Sequence, residues 1–315
     1  MKKILITGSA GFIGFHLSLK LIESGYIVVG IDSIEKSYGK KIKLDRLKIL
    51  KKKKNFKFYK KNIKNIDSIK ENVDLIIHLA AEAGVRRSLI DPYFYIQQNI
   101  NCTIKVFEFA KKRKIKKIIY ASSSSVYGNN KEYPSTEMMN VMKPLSIYGV
   151  TKIANENIAY YYNEIFKINS VGLRFFTVYG PYGRPDMSIF IFFKCLLKNK
   201  KIILFNHGKN LRDYTYIEDI TLFINKLLSN IKNKKRFFEI FNIGGQKNIT
   251  LNKVVKIMEK ITCKKTSIKR IKKNKLDPEN SLASMKKLEK YVNFKKNTSI
   301  DLGLKKTYEW IKSYI

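Results

Sequence analysis

The sequence predicts an α/β fold, a doubly wound parallel sheet with a smaller C-terminal lobe, and three observations carry the prediction. Apolar strand-like runs alternate with amphipathic helical stretches through the first 175 residues. The first run ends directly in a glycine-rich turn that opens a helical pattern. After Gly180 the elements shorten and the alternation becomes irregular.

In chain order, Lys3 to Thr7, Ile27 to Asp32, Phe56 to Tyr59, Val73 to Leu79, Ile115 to Ala121 and Ser170 to Phe175 read as buried strands. Their apolar runs suit parallel strands covered on both faces. Gly11 to Ser24, Asp91 to Lys112 and Ser146 to Phe166 read as helices between them. Residues 1–180 are expected to form the cofactor-binding domain, and residues 181–315 mainly a substrate-binding lobe, with some chain returning to the large sheet. No repeat of fixed period and no Gly/Ser/Pro linker divides the chain.

A chain of 315 residues allows one large domain or two sharing a cleft. Hydrophobic residues at 44% and aromatics at 12% exclude a disordered chain. Lys+Arg 63 against Asp+Glu 25 leaves +38, so the surface attracts nucleotides, acidic sugars or nucleic acid. Stretches such as Lys51-Lys52-Lys53-Lys54-Asn55 are also what A+T-rich codons specify. The basic residues are scattered and match no groove-reading motif, so no specific nucleic-acid partner is expected. Cys102, Cys195 and Cys263 form no CxxC pair, which fits a reduced compartment. The apolar run after Met1-Lys2-Lys3 is too short for an export signal, and Ile189 to Phe193 falls well short of the ~20 residues of a membrane span. A cytoplasmic protein with no membrane partner is expected.

Gly8-Ser9-Ala10-Gly11-Phe12-Ile13-Gly14 follows the first strand. Glycines so spaced let the chain turn tightly, let backbone approach a pyrophosphate and let helix pack on strand, while the helix N-terminus offers free N–H groups. Asp32 ends the second strand, where a carboxylate can bond the adenosine ribose hydroxyls and would repel a 2′-phosphate. The expectation is a Rossmann site for NAD rather than NADP.

Tyr148 and Lys152 are one helical turn apart and share a face. A phenol with a pKa near ~10 is a poor base at neutral pH, but a nearby ammonium and a positive nicotinamide favour its phenolate. Spacing alone is weak: 19 tyrosines and 63 basic residues give about four chance Tyr-x-x-x-Lys/Arg pairs, among them Tyr127/Lys131 and Tyr308/Lys312. The setting distinguishes Tyr148, which follows Ser122-Ser123-Ser124-Ser125-Val126-Tyr127-Gly128, a hydroxyl cluster just past the fifth strand where the cleft should open.

Over nearly its whole length the chain resembles the extended short-chain dehydrogenase/reductase family, and within it the UDP-glucuronate 4-epimerases. The most specific stretches are Ala80 to Arg86, Ala121 to Gly128, Tyr148 to Lys152, Leu173 to Pro181, Gly183 to Met187 and Asn206 to Ile217. The resemblance implies Tyr148 as acid/base, Lys152 on the nicotinamide ribose and Ser123 on the reacting sugar hydroxyl. It implies Gly8, Gly11, Phe12, Ile13, Gly14 and Asp32 around the ADP half of NAD, and Asn62 and Ile63 at the adenine. Leu79, Ala80 and Ala81 would pass under the cofactor, with Asn99 beside it. Arg86, Ser124, Ser125, Thr177 and Arg184 would face the sugar and its carboxylate, and Arg212 and Asp277 the diphosphate and uridine ribose. A UDP-sugar substrate, no metal and a homodimer paired through the two long helices complete what the resemblance implies.

The chain also departs from the family. Asn62 stands where aspartate is usual, Asn274 to Pro278 keeps only the aspartate of a Gly-Asp pattern, and Ala283-Ser284 replaces Ala-Asp. Arg87 replaces a common aromatic. Related 4,6-dehydratases carry Asp-Glu, and decarboxylases a glutamate, within the loop that here reads Ser124-Ser125; neither carboxyl is present. The implied reaction is therefore 4-epimerisation.

Overall fold

The computed structural model describes residues 2–35, 38–232, 234–272 and 278–315. The sequence's apolar runs become strands almost as read: β1 (Lys3–Thr7), then α1 (Phe12–Glu23) and β2 (Ile27–Asp32). Next come α2 (Lys40–Lys51), β3 (Phe56–Lys60) and β4 (Leu75–His78). The helix expected over residues 91–112 starts as α3 (Pro92–Tyr95), widens into a π-helical stretch at Ile96–Asn101 and continues as α4 (Cys102–Lys112). β5 (Lys117–Ser123), α5 (Ile147–Phe166) and β6 (Asn169–Phe175) follow. Ser146 starts α5, its side chain accepting from the Gly149 amide at 3.1 Å.

Helix α2 was not anticipated, because its inward face carries Lys43 and Arg46 beside Ile42, Leu47 and Leu50. Arg46 is fully buried and donates to the carbonyls of Ala10 and Tyr182, so backbone oxygens rather than hydrocarbon receive it.

Beyond β6 the chain forms β7 (Thr177–Tyr179), α6 (Ser188–Leu197), β8 (Ile202–Phe205), β9 (Leu211–Tyr216) and α7 (Ile217–Ile231). It ends in β10 (Phe238–Ile243), β11 (Asn248–Thr250), α8 (Leu251–Thr262), β12 (Ile268–Ile271), α9 (Lys286–Val292) and α10 (Ile300–Tyr314). Among the described residues the large sheet has seven parallel strands in the order β10-β6-β5-β4-β1-β2-β3. β10 is thus a late strand that returns to the edge beside β6.

Both faces are covered. Ile4, Ile6, Ile77 and Leu173 face a core shared with α1, α7 and α9, while Leu5, Ile76 and Ile118 face α4 and α5. At about 1.5–3 kcal/mol per buried aliphatic side chain, these two layers dominate the favourable terms. A third core, built on Phe193, Tyr216, Val254 and Leu304, joins α6, β9, α8 and α10 around the small sheets β11-β9-β7 and β12-β8. Strand order reverses between β1 and β4, so the crevice for a ligand opens at their C-terminal ends.

Candidate active site

Gly8 leaves β1 at φ +71°, and a Cβ there would stand 2.8 Å from the Ala80 amide nitrogen, so only glycine fits this turn. Gly11 begins α1 with no capping side chain, and the N–H groups of Phe12, Ile13 and Gly14 are left for an anionic ligand. Asp32 is buried at the end of β2 and accepts from the amides of Ala10 at 3.2 Å and Ile34 at 2.8 Å. The Lys43 ammonium lies 3.8 Å from Asp32 Oδ1, a buried cation that spacing did not reveal.

The hydroxyl of Thr7 accepts from the amides of Leu79 and Ala80, each at 3.1 Å, and bonds His78 Nδ1 at 2.7 Å. Burial lowers His78 to about 3, so the ring is neutral, and its Nε2 reaches Thr103 at 3.2 Å. Ala81 continues the segment half-buried. Asn62 caps the short 3₁₀ turn Ile63–Ser68 through its carbonyl oxygen, which leaves its amide nitrogen for a ligand, and Ile63 is buried beneath it. Asn99, in the π-helical stretch, is engaged by protein: it accepts from Glu82 N at 2.8 Å and donates to Glu82 O and the Thr151 hydroxyl, each at 3.0 Å. The glycine cradle, the amide donors of the uncapped helix and the accepting carboxylate of Asp32 are groups that suit a dinucleotide.

Ser123 ends β5, and Tyr148 and Lys152 occupy the first two turns of α5. The Ser123 side chain lies near enough to the Tyr148 phenol to act on it, and the Lys152 ammonium lies 5.7 Å from the tyrosine ring centre. Lys152 donates to Ala121 O at 2.9 Å, which fixes its stem under β5. Burial pushes the Tyr148 phenol above its ordinary value, opposed by the Ser123 side chain and the Arg184 charge. Burial lowers Lys152 to about 8, opposed by Glu156.

Glu156 is the residue that sequence reasoning passed over. It lies one further turn along the Tyr148/Lys152 face and binds Arg174 of β6 in a fork, at 2.9 Å and 2.8 Å. It also accepts from Ser122 at 2.5 Å, the residue before Ser123. The spacing of four from Lys152 was visible in the sequence; the strand partner was not.

Ser124 and Ser125 line a cavity together with Tyr127, Tyr133, Asn280 and Ser281. Thr177 and Arg184 line a second, smaller hollow. The Arg184 fork is held by Asp186 at 3.0 Å and 2.6 Å and lies over the Tyr38 ring. The Arg86 guanidinium is 4.0 Å from the ring centre of Phe205 on β8. Arg212 donates to the carbonyls of Leu211 at 2.9 Å and Glu279 at 3.4 Å. Asp277 lies outside the described residues. The fold therefore brings Ser123, Tyr148 and Lys152 into one unit and sets the Arg184 charge where it acts on that phenol.

Residues 4–244 match the family model described as the NAD dependent epimerase/dehydratase family. The chain belongs to this family. It is similar to the UDP-glucuronate 4-epimerase of Thermodesulfobacterium geofontis, 38% identical over 99% of this chain and 96% of that one. It is similar to UDP-glucuronate 4-epimerase 4 of Arabidopsis thaliana, 35% identical over 99% of this chain and 75% of that one. The crystal structure of UDP-glucuronic acid 4-epimerase from Bacillus cereus, in complex with UDP-glucuronic acid and NAD, superposes with a TM-score of 0.94 at 34% identity. That match covers 99% of this chain and 100% of the other. NAD is the cofactor of the family, in keeping with the expectation drawn from Asp32 and the glycine turn. No helix among the described residues is long and apolar enough to cross a membrane.

Proposed function

We propose that this protein is an NAD-dependent UDP-sugar 4-epimerase, an isomerase that interconverts UDP-glucuronate and UDP-galacturonate through a 4-keto sugar. The observation that carries the reading is the Ser123–Tyr148–Lys152 unit at the end of β5, beside a hydroxyl-lined cavity and the Arg184 charge.

Gly8, Gly11, Phe12, Ile13, Gly14 and Asp32 hold the ADP half, Asn62 and Ile63 the adenine, and Leu79 to Ala81 the face of the cofactor. Asn99 acts behind it through Glu82 and Thr151. When bound, NAD accepts the C4 hydrogen as hydride and gives it back. Tyr148 takes the C4 hydroxyl proton through its phenolate and later returns it, while Ser123 donates a hydrogen bond to the C4 oxygen. The Lys152 ammonium favours the phenolate. Between the two transfers the keto sugar turns over in its cavity, so return on the opposite face inverts C4.

A 4-keto glucuronate is a β-keto acid and loses carbon dioxide when its carboxylate stands perpendicular to the ketone plane. Arg184, Thr177, Ser124 and Ser125 hold the carboxylate away from that rotation through charge-assisted hydrogen bonds. Asp186 occupies the Arg184 fork, so the sugar carboxylate takes its place by exchanging one carboxylate for another. Arg212 and Asp277 serve the diphosphate and uridine ribose, and Arg86 borders the sugar end. On this reading residues 1–180 bind the cofactor and residues 181–315 mainly the sugar nucleotide.

Ile104, Val150, Tyr160, Tyr161 and Ile165 are exposed on α4 and α5, which supports pairing of two copies through these helices. Sedimentation at the monomer mass would count against pairing. A cytoplasmic site of action accords with three free thiols, and fractionation of cells tests it.

Purified protein is incubated with UDP-glucuronate, and separately with UDP-glucose, without added cofactor. The C4 epimer of the uronate is expected, with Tyr148→Phe reducing turnover by at least about 100-fold while retaining bound NAD. Absence of any C4 epimer from the wild-type protein refutes the proposal.

A further inference from the structure

Residues 278–285 form a strap along the cavity lined by Ser124 and Ser125, to whose lining Pro278, Asn280 and Ser281 also contribute. The strap contains no helix or strand of its own. Its course is set by bonds to other segments. On one side it meets β9: Leu211 N donates to Glu279 O at 3.0 Å, Ser281 N to Leu211 O at 3.2 Å, and Asp213 N to the Ser281 hydroxyl at 3.1 Å. On the other side Ser135 N donates to Leu282 O at 2.7 Å, and Ser284 N to Ser135 O at 2.9 Å.

The junction between these ties is the side chain of Asp213, which is completely buried. Its Oδ2 accepts from Ala283 N of the strap at 2.9 Å. Its Oδ1 accepts from Gly245 N, and the Gln246 amide is a further donor. One carboxylate on β9 thus fastens the strap to the turn that follows β10. The turn is shaped to fit it: a Cβ on Gly244 would stand 2.8 Å from Asp213 Oδ2, and one on Gly245 would stand 3.0 Å from Oδ1.

A buried carboxylate is costly to keep, and burial pushes Asp213 up to about 6 against the pull of its amide donors. Hydrophobic packing alone would not call for such a group at this point. Its bonds lead to the strap and to the turn after β10, whereas Ser123 is tied to Ser125 and Lys152 to Ala121 of β5. The neighbouring Arg212 reaches the strap carbonyl of Glu279, so cation and strap are set in register by adjacent residues of β9.

We propose that Asp213 is a positioning residue for substrate binding: it fixes the strap so that Asn280, Ser281 and Arg212 present a formed surface to the nucleotide diphosphate of the sugar nucleotide. The inference rests on the cavity being the UDP-sugar site, and it assigns Asp213 to affinity rather than to chemistry at C4.

The test is Asp213→Asn in the full-length protein. Asparagine fills the same space but must turn its NH2 toward either Ala283 N or Gly245 N, setting donor against donor on one side of the junction. Expected are about a tenfold rise in the dissociation constant of UDP by calorimetry and in KM for UDP-glucuronate, with kcat changed by less than about twofold and bound NAD unchanged. UDP affinity within about twofold of wild type, or kcat and NAD content falling along with affinity, overturns the proposal. If the variant does not fold, hydrogen exchange on the wild-type protein decides. Residues 278–285 and 244–246 are expected to exchange together and to slow together when UDP is added, and a strap indifferent to UDP overturns the inference. Because UDP binding is read without turnover, a protein that binds UDP but makes no epimer refutes the proposed reaction while leaving the role of Asp213 decided on its own data.

Discussion

Glu156→Gln separates the electrostatics of the site from its shape. The wild-type carboxylate accepts three bonds, from Ser122 at 2.5 Å and from Arg174 at 2.9 Å and 2.8 Å, and both members of the pair are almost wholly buried. Glutamine keeps one oxygen, which can hold Ser122 and Arg174 Nε, but its NH2 then opposes the second guanidinium nitrogen. Leaving the arginine without its counter-charge is expected to cost about 3–5 kcal/mol in a urea unfolding experiment.

The same change acts on Lys152. Burial holds Lys152 near 8, and Glu156 is the charge that opposes the lowering, so its removal moves the value further down. The ammonium is present below that pKa and lost above it. The alkaline limb of the kcat profile should therefore move toward neutrality, and a shift of one unit would cut the protonated fraction at pH 8 from about one half to about one eleventh. Epimerisation from pH 6 to 10 and unfolding at pH 7 are the two assays. An alkaline limb that stays in place, or a stability loss under about 1 kcal/mol, refutes the view that Glu156 serves both the arginine and the lysine.

Two further substitutions address the opposite ends of the site. Gly8→Ala places a methyl group 2.8 Å from the Ala80 amide at φ +71°, so the purified protein should lose bound NAD and about 1–3 kcal/mol of stability; full NAD content would refute the close approach. Arg184→Ala should release a decarboxylated pentose product during turnover of UDP-glucuronate, detected by chromatography or trapped carbon dioxide, whereas clean epimerisation without pentose would show that Arg184 does not govern the carboxylate.

The two ends of the molecule were unequally legible in the sequence because they are specified in different ways. The glycine turn is local: Gly8 answers a backbone angle and Gly11 the start of a helix, so adjacent residues carry the whole signal. Tyr148 and Lys152 share a helical face, and periodicity alone puts them side by side. The substrate end depends on residues remote in sequence. Asp213 joins Gly245 and Ala283, and Glu156 meets Arg174 across a helix and a strand, pairings that become visible only once β9, β10 and β6 have been placed. The strands there have only three or four residues in β7, β8, β11 and β12, too short for a period to show. Helix α2 was hidden for another reason: its lysine-rich pattern conceals a face on which Arg46 and Lys43 are buried by polar partners.

The buried charges also explain how so basic a chain can hold a weakly basic phenol ready. A net charge of +38 is mostly carried at the surface, where solvent and salt screen it within about 10 Å. The charges that act on Tyr148 are fewer and lie closer. Ser123 and Arg184 favour its phenolate, the Lys152 ammonium lies 5.7 Å from its ring centre with a charge that burial has made easier to lose, and Glu156 opposes that loss. The phenol itself is pushed upward by burial. Because these influences oppose one another, deleting any single group should shift the pH dependence by an amount set by its neighbours, and paired deletions of Glu156 and Lys152 should be far from additive. The surface lysines, by contrast, should be replaceable in number with changes in salt dependence and almost none in kcat.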